Sequence, residues 1–566
     1  METPSANSPT YSLGLDYGTS SVRALITSNH SANALSSAVC GYAHGEDGIL
    51  LDSNKPDLAR QAPSDYLTGA KQAIRESIAH AEAKDPSFDV SQIVGLGVDT
   101  TGSTPIPVDR KGQALALTPA FADHIGAQAW LWKDHTAAEE AQEISDHARK
   151  RHPEYLESCG GSYSSEWFWA KLLKMAREHP EVVEQTHGWI EICDWIPAVL
   201  TGNTDRPVRG ICAAGHKGLY HARWGGYPER SFWEGLHPEC ARIWNTLEGC
   251  QVQVVGQMAG RLSPSWALEC GLPSGIPVST GALDAHMGAV GSGIQPGTMV
   301  KIMGTSTCDI VVAPLQDPLP YISGLCGMAP ETVLPNCHGI EAGQSAVGDL
   351  FQWCTDRLLE GSAHTHDSLS QQASMLRPGQ SGLLALDWNN GNRSLLCDPQ
   401  LTGLLIGQTL HTKAHEVYRA LIEATAFGAR MIIDQMKSSG ILIDTVVACG
   451  GLADKNPLLM QIYADILGLR VCCSASEQTC ALGSAMAGSV AAGSHPDIQT
   501  AQKSMMSAHE KGYTPNPEAT KAYDRLFSLY RQLHDSFGGV KASSIGMGEI
   551  MKELIRLRRL SLNGSH

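Results

Sequence analysis

At 566 residues the chain is too long for one ordinary hydrophobic core, so two to four domains with a cleft between them are expected. An apolar content of 42%, a charged content of 18% and a formal net charge of −16 describe a soluble globular protein without the basic footprint that nucleic acid or anionic lipid requires, which leaves small solutes as partners. No run reaches the roughly 18 apolar residues of a membrane span, and the opening Met1–Tyr11 segment lacks the apolar stretch of a signal peptide. The 16 cysteines, spread through apolar segments such as Ile192-Cys193-Asp194 and Val471-Cys472-Cys473 without a C-x-x-C pair, read as reduced and mostly buried thiols. A cytoplasmic protein is expected, and the composition leaves a homodimer open.

In chain order, residues 1–10 read as a disordered arm, and short apolar strands follow at 11–17, 22–28 and 93–99, with a helix pattern at 65–82. This describes an α/β layer of mixed strand direction. The Trp-rich stretch Ser164–Leu173 reads as helix, and Trp167 and Trp169, two apart and therefore unable to share a helix face, read as core. The strand pattern restarts after the glycine-rich stretch Gly281–Gly297, which puts a boundary near 290. Beyond it come a β-branched hairpin at 299–312, a long helix over 415–430, a helix over 456–467, a strand over 469–473 and a small-residue helix over 481–492. The expected division is an arm at 1–10, an N-terminal domain at 11–290, a C-terminal domain at 291–537 and a tail at 538–566, whose Arg556, Arg558 and Arg559 read as a solvated face.

Three glycine elements carry the chemistry. In Gly14-Leu15-Asp16-Tyr17-Gly18-Thr19-Ser20-Ser21-Val22-Arg23 a strand ends in a tight turn. Gly18 would let the backbone approach an anion and reach positive φ, Thr19 and Ser20 offer donors, and Asp16 offers a hard oxygen to hydrated Mg²⁺. The same device returns as Met303-Gly304-Thr305-Ser306-Thr307, so two hairpins half a chain apart can hold a nucleotide's phosphates from both sides. The third, Cys449-Gly450-Gly451-Leu452, follows a strand and opens a helix. None is a Walker-type turn, which disfavours a P-loop fold. Asp284, in Gly281-Ala282-Leu283-Asp284-Ala285-His286, precedes a small-residue helix and reads either as a helix N-cap or as a carboxylate able to take a proton at the cleft.

The duplicated turn resembles the actin-like ATPase superfamily, and the ordered set of Asp16-Tyr17-Gly18-Thr19, Asp284, Gly304-Thr305-Ser306 and Gly450-Gly451 resembles the FGGY family of carbohydrate kinases over residues 12–495. The blocks Gly97–Thr104, Leu131–Thr136, Ala214-Gly215-His216-Lys217 and Gly339–Ser345 are similar to the branch of that family that phosphorylates ribulose. The resemblance implies two actin-like (ribonuclease H-like) α/β domains with mixed sheets flanked by helices and a cleft between them. It also implies ATP and Mg²⁺ as cofactors, and transfer of the γ-phosphoryl group to O5 of L-ribulose in arabinose breakdown. By the same likeness Asp284 is the general base and Asp16 acts on Mg²⁺. Trp132, Lys217, Asp284 and Glu341 contact the ketopentose, with core or ion-pair roles as the alternatives for Trp132, Lys217 and Glu341. Gly348, Gln352 and Asn456 join Thr305 and Gly451 around the nucleoside, Asn456 reading equally as a helix cap beside a Lys455 that departs from some relatives. Asp134 and His135, adjacent on a helix, are read as supporting residues, and Asp99 as an organiser of the cleft or a support for Mg²⁺. A kinase for D-ribulose, xylulose or ribitol, and a sugar sensor that binds ATP without turnover, are the competing readings.

Overall fold

The computed structural model describes residues 9–317, 319–360, 363–509 and 512–540; the arm before residue 9 and the tail beyond 540, including Arg556, Arg558 and Arg559, lie outside them. Two mixed sheets organise the chain. The first has the strand order Met258–Arg261, Pro277–Ser279, Ile93–Thr100, Tyr11–Tyr17, Ser21–Ser28, Ala34–Gly41, and Ala282–Leu283 adds onto Ile93–Thr100. The second runs Gly327–Pro330, Cys337–Ala342, Thr307–Pro314, Gly297–Met303, Ile443–Cys449, Arg470–Cys473, Gly512–Tyr513. Their centres repeat one plan. Tyr11–Tyr17 pairs antiparallel with Ser21–Ser28 and parallel with Ile93–Thr100, while Gly297–Met303 pairs antiparallel with Thr307–Pro314 and parallel with Ile443–Cys449. Every residue of Tyr11–Tyr17 is buried, as expected of a central strand covered on both faces.

Each sheet has its own core, and the helices between residues 115 and 247 form a third around Trp130, Trp169, Trp189 and Trp233. Trp167 and Trp169 are both buried, as the sequence suggests. The helix there is Phe168–Glu178, so Trp167 precedes it and the two indoles need not share a face. The remaining helix predictions hold as Pro63–Lys84, Ala414–Ser438, Pro457–Leu467 and Thr479–Ala491. Among the described residues no helix is long and apolar enough to cross a membrane, and all sixteen cysteines are free, most of them buried.

A fourth core joins the halves. Helix Thr479–Ala491, from late in the chain, packs on Tyr11–Tyr17 and Ile93–Thr100 of the first sheet, while Asp284–Gly291, the last helix of the first half, touches strands Gly297–Met303 and Thr307–Pro314 of the second. These two helices also pack on each other, burying Met287, Val290, Ala481, Leu482, Ala485 and Met486 at the seam. Backbone meets backbone there: a Cβ on Gly14 would lie 1.9 Å from the Ala481 carbonyl oxygen, one on Gly97 1.8 Å from that of Ser484, and one on Gly483 2.0 Å from that of Met287. Small residues at these positions are a steric requirement of the seam.

Candidate functional site

Sheet register assembles the first half of the site. Asp16 lies opposite Arg23 on one side and opposite Asp99 on the other, and Asp99 in turn lies opposite Ala282. Adjacent residues on paired strands share a face, so Arg23, Asp16 and Asp99 form a row that ends where Asp284 begins its helix. Arg23 Nη1 donates to Asp16 Oδ2 at 3.0 Å, and Ser484 Oγ, from the seam helix, donates to Asp99 Oδ2 at 2.5 Å. Burial raises the Asp16 carboxyl against the opposing pull of Arg23. Burial, then the neighbouring Asp16, holds Asp99 well above the ordinary carboxylate range. Asp99 Oδ1 is buried without a hydrogen-bond partner. Two facing carboxylates with a free oxygen are the hard donors Mg²⁺ takes, so this pair fits the ion; the Cys480 thiol, also within reach, is a soft donor and does not.

The turns that follow these strands are the exposed ends of buried hairpins. Gly18, Thr19 and Ser20 cap the first, closed by the Gly18 N–H on Ser21 O at 2.9 Å. Gly304, Thr305 and Ser306 cap the second, closed by the Gly304 N–H on Ser306 O at 2.9 Å. The expectation of positive φ at Gly18 fails: the hairpin closes without it, and in the third element it is Gly450 that is left-handed, at φ 97°, where a Cβ would meet Met303 O at 2.4 Å. Gly451 then opens helix Gly451–Lys455 with open space beside it.

Asp284 is the first residue of its helix, which Leu283 precedes as N-cap, so Asp284 is not the cap residue; its Oδ1 accepts from the next N–H, of Ala285, at 2.6 Å. Burial and then the Asp16 charge push its carboxyl up to about 7. Lys217 and Glu341 come together across the two halves. Lys217 ends helix Ile211–Lys217, Glu341 lies on strand Cys337–Ala342 opposite Ile310, and Nζ donates to Oε2 at 3.0 Å and Oε1 at 3.1 Å. The two residues are therefore paired with each other, as the ion-pair alternative has it. Arg393 Nη2 adds a donor to Oε1 at 3.2 Å, and Lys217 Nζ lies 5.3 Å from the Trp167 ring centre. Burial works against the charge on Glu341, yet Lys217 first, and Arg393 with it, hold its carboxyl far below the usual range.

Trp132 is half-buried, and its indole N–H donates to Thr19 Oγ1 at 3.0 Å, which ties the Leu131–Thr136 block to the first glycine turn. Asp134 and His135 lie in irregular chain before helix Ala138–Arg151 rather than on a helix; Asp134 is buried against Arg60, and His135 is exposed. On the other side of the cleft, the Val347, Gly348 and Asp349 N–H groups donate to Thr305 O at 2.8 Å, Gly304 O at 3.0 Å and Thr305 O at 3.2 Å, so Gly348 lies along the second turn. Gln352 is exposed one helical turn further on. Asn456 Oδ1 accepts from the Leu459 N–H at 3.0 Å, which realises the helix-cap alternative and leaves its amide nitrogen 3.4 Å from Ser370 Oγ.

Several site residues escape a reading by motif. Arg393 reaches Glu341 from a distant loop. Lys301, opposite Asp309 in the second sheet, donates to both Asp309 oxygens at 2.8 and 2.9 Å and to Gln344 Oε1 at 2.9 Å. Gln344 donates onward to Asp387 Oδ2 and Thr425 O, both at 2.7 Å, so the second turn stands on a buried and fully paired network. A Lys three residues before a glycine turn, where the first half has Asp16 two before its own, was the available signal.

Comparison with known proteins matches residues 11–291 to the N-terminal domain and residues 299–492 to the C-terminal domain of the FGGY family of carbohydrate kinases. The chain is 39% identical to the ribulokinase of Shouchella clausii over 98% of its own length and 99% of that protein's. It is 37% identical to that of Vibrio parahaemolyticus over 92% and 95%. Among solved structures, xylulose kinase from Rhodospirillum rubrum superposes with a TM-score of 0.77 at 21% identity, covering 94% of this chain and 99% of that one. Plasmodium falciparum glycerol kinase with ADP superposes at 0.74 and 16%, covering 93% and 98%. These two share the fold, in the same two-domain arrangement of mixed sheets flanked by helices. With both family domains matched in order and near-full-length relatives at this identity, the chain belongs to the FGGY family of carbohydrate kinases.

Proposed function

We propose that the protein is an ATP-dependent ribulokinase that transfers the γ-phosphoryl group of Mg·ATP to the O5 hydroxyl of L-ribulose, a step of L-arabinose breakdown. The near-full-length identity to proteins named ribulokinase supports the substrate class. The observation that carries the chemistry is Asp284: its carboxyl, pushed up to about 7, stands beside the Lys217–Glu341 pair and the Asp16–Asp99 row. A base poised near the working pH is what abstraction of a hydroxyl proton asks for.

In this reading Lys217, Arg393 and Glu341 orient the ketopentose through charge-assisted hydrogen bonds, with Trp132 lining the pocket. Asp284 accepts the O5 proton as O5 attacks the γ-phosphorus and ADP leaves. Gly18 to Ser20 and Gly304 to Ser306 supply donors along the phosphates, which stabilise the charge that spreads over the transferring group. Asp16, with Asp99 behind it, would hold Mg²⁺, which when bound neutralises phosphate charge. Gly348, Gln352, Gly450, Gly451 and Asn456 form the nucleoside end, Asn456 through its amide nitrogen because its oxygen caps the helix. Closing of the halves would exclude water and suppress ATP hydrolysis.

The test is coupled ADP release with Mg·ATP and a panel of L-ribulose, D-ribulose, D-xylulose, ribitol and glycerol, run beside Asp284→Asn. Fastest turnover on L-ribulose, lost by about 10³-fold or more in the variant, is the expected result. Absence of sugar-stimulated turnover in the wild type would refute the assignment.

A further inference from the structure

We infer that His216 and His286 are ketopentose-binding residues, which complete the sugar pocket that Lys217, Glu341 and Asp284 begin. The inference rests on the ribulokinase reading and starts from what is left unpaired in the site. Lys217 and Arg393 already donate to Glu341. The two histidines do not: both are 1% exposed, and none of their four ring nitrogens has a hydrogen-bond partner. Buried polar atoms are paired in the great majority of cases, and an unpaired set needs a ligand or another explanation. Here the set is gathered on the sugar side. His286 Nε2 lies 3.7 Å and His216 Nδ1 4.0 Å from Glu341 Oε2, the ring centres are 4.7 Å apart, and each histidine is a close chain neighbour of a proposed sugar residue, His216 of Lys217 and His286 of Asp284.

Chemistry selects a polyol over a cation or an anion. Burial and the adjacent Lys217 keep both rings neutral, His286 with its pKa pushed down to about 4. A neutral imidazole offers one donor and one acceptor. A sugar hydroxyl is also both, whereas Lys217 and Arg393 only donate and Glu341 only accepts. The histidines therefore supply the complementary pairing that distinguishes a hydroxyl from other groups, and with it sensitivity to where each hydroxyl points. A divalent metal on His216, His286 and Glu341 would sit about 2 Å from a carboxylate that already holds two cations, which disfavours it. Gly327 serves the same arrangement: a Cβ there would lie 2.1 Å from His216 Nδ1, so the strand gives the ring its place.

Wild-type turnover on L-ribulose is measured first, so that failure of the reaction assignment is seen separately. On that background His286→Leu, His216→Leu and Gly327→Ala are each expected to raise KM for the ketopentose about 10- to 100-fold, with KM for Mg·ATP within about threefold of wild type. His286→Asn, which keeps a donor and an acceptor, should recover part of that loss and change the ranking among ribulose, xylulose and ribitol. Because a variant can fail to fold, the wild-type protein with ¹⁵N-labelled histidine is also titrated with ketopentose, and the ring-nitrogen resonances of two histidines should shift saturably. Unchanged sugar KM in folded leucine variants overturns the inference, as does equal weakening toward sugar and nucleotide. Ring-nitrogen shifts produced by Zn²⁺ and not by ketopentose overturn it as well.

Discussion

As the proposed general base, Asp284 would take its reactivity from its surroundings, and the pH dependence follows from them. A general base works only when deprotonated. With the carboxyl pushed up to about 7 by burial first and Asp16 second, kcat/KM for the ketopentose should rise with pH through an apparent pKa near 7 and fall about tenfold per pH unit below it. Asp16→Asn removes the second cause and leaves the first, so the acidic limb should move to lower pH without reaching the ordinary carboxylate value. The midpoint is read rather than the rate, because Asp16 is also the proposed Mg²⁺ ligand; a midpoint that stays put would remove Asp16 from the electrostatics of Asp284. Asp16, Asp284, Lys217 and Glu341 could be nominated as candidates from the sequence because each lies inside a block that resembles a family motif. Arg393 and the unpaired nitrogens of His216 and His286 were not, because what marks them is a contact made across the fold and a partner that is missing.

At the scale of elements, the glycines of the central strands matter more than those of the turns. The hairpins were predictable from β-branched runs around Gly-Thr-Ser, yet Gly18 adopts no left-handed conformation, while Gly14, Gly95 and Gly97 turn out to be where a helix lies directly on the strands. No local pattern announces this, since the helix that needs the space, Thr479–Ala491, lies at the far end of the chain. Gly97→Ala puts a methyl group 1.8 Å from Ser484 O, against backbone that cannot swing aside. The expected cost is about 1–3 kcal/mol or more of stability from overpacking. Displacement of Ser484 would also remove its hydrogen bond to Asp99, so kcat should fall together with the melting temperature. Ser484→Ala separates the two effects, because it deletes the hydroxyl and keeps the packing. If Gly97→Ala melts and turns over like the wild type, the close contact in the seam is not a constraint.

For the whole molecule, the exchange of helices across the seam decides whether the halves are independent. The restart of the strand pattern marks residue 290 as the place to divide the chain, and the sheets do separate there, but the first sheet is covered on one face by Thr479–Ala491 from the other side of that division. Leu482 and Met486 of that helix are buried at 7% and 0% exposure. At about 1.5–3 kcal/mol for each fully buried large side chain, losing these two alone costs about 3–6 kcal/mol, against a total stability on the order of 5–15 kcal/mol for a typical domain. Residues 9–291 made alone should therefore lack a sharp melting transition and bind an apolar dye such as ANS. Mixing with residues 292–540 should restore cooperative melting, because it returns the covering helix. The intact chain should melt in a single transition, since neither sheet can lose its partner and keep its core. Cooperative melting of the first fragment without dye binding would show that the seam joins two self-sufficient domains. In that case the link between Ser484 and Asp99 would be a contact between rigid bodies, free to open as the cleft opens, instead of part of the first domain's own core.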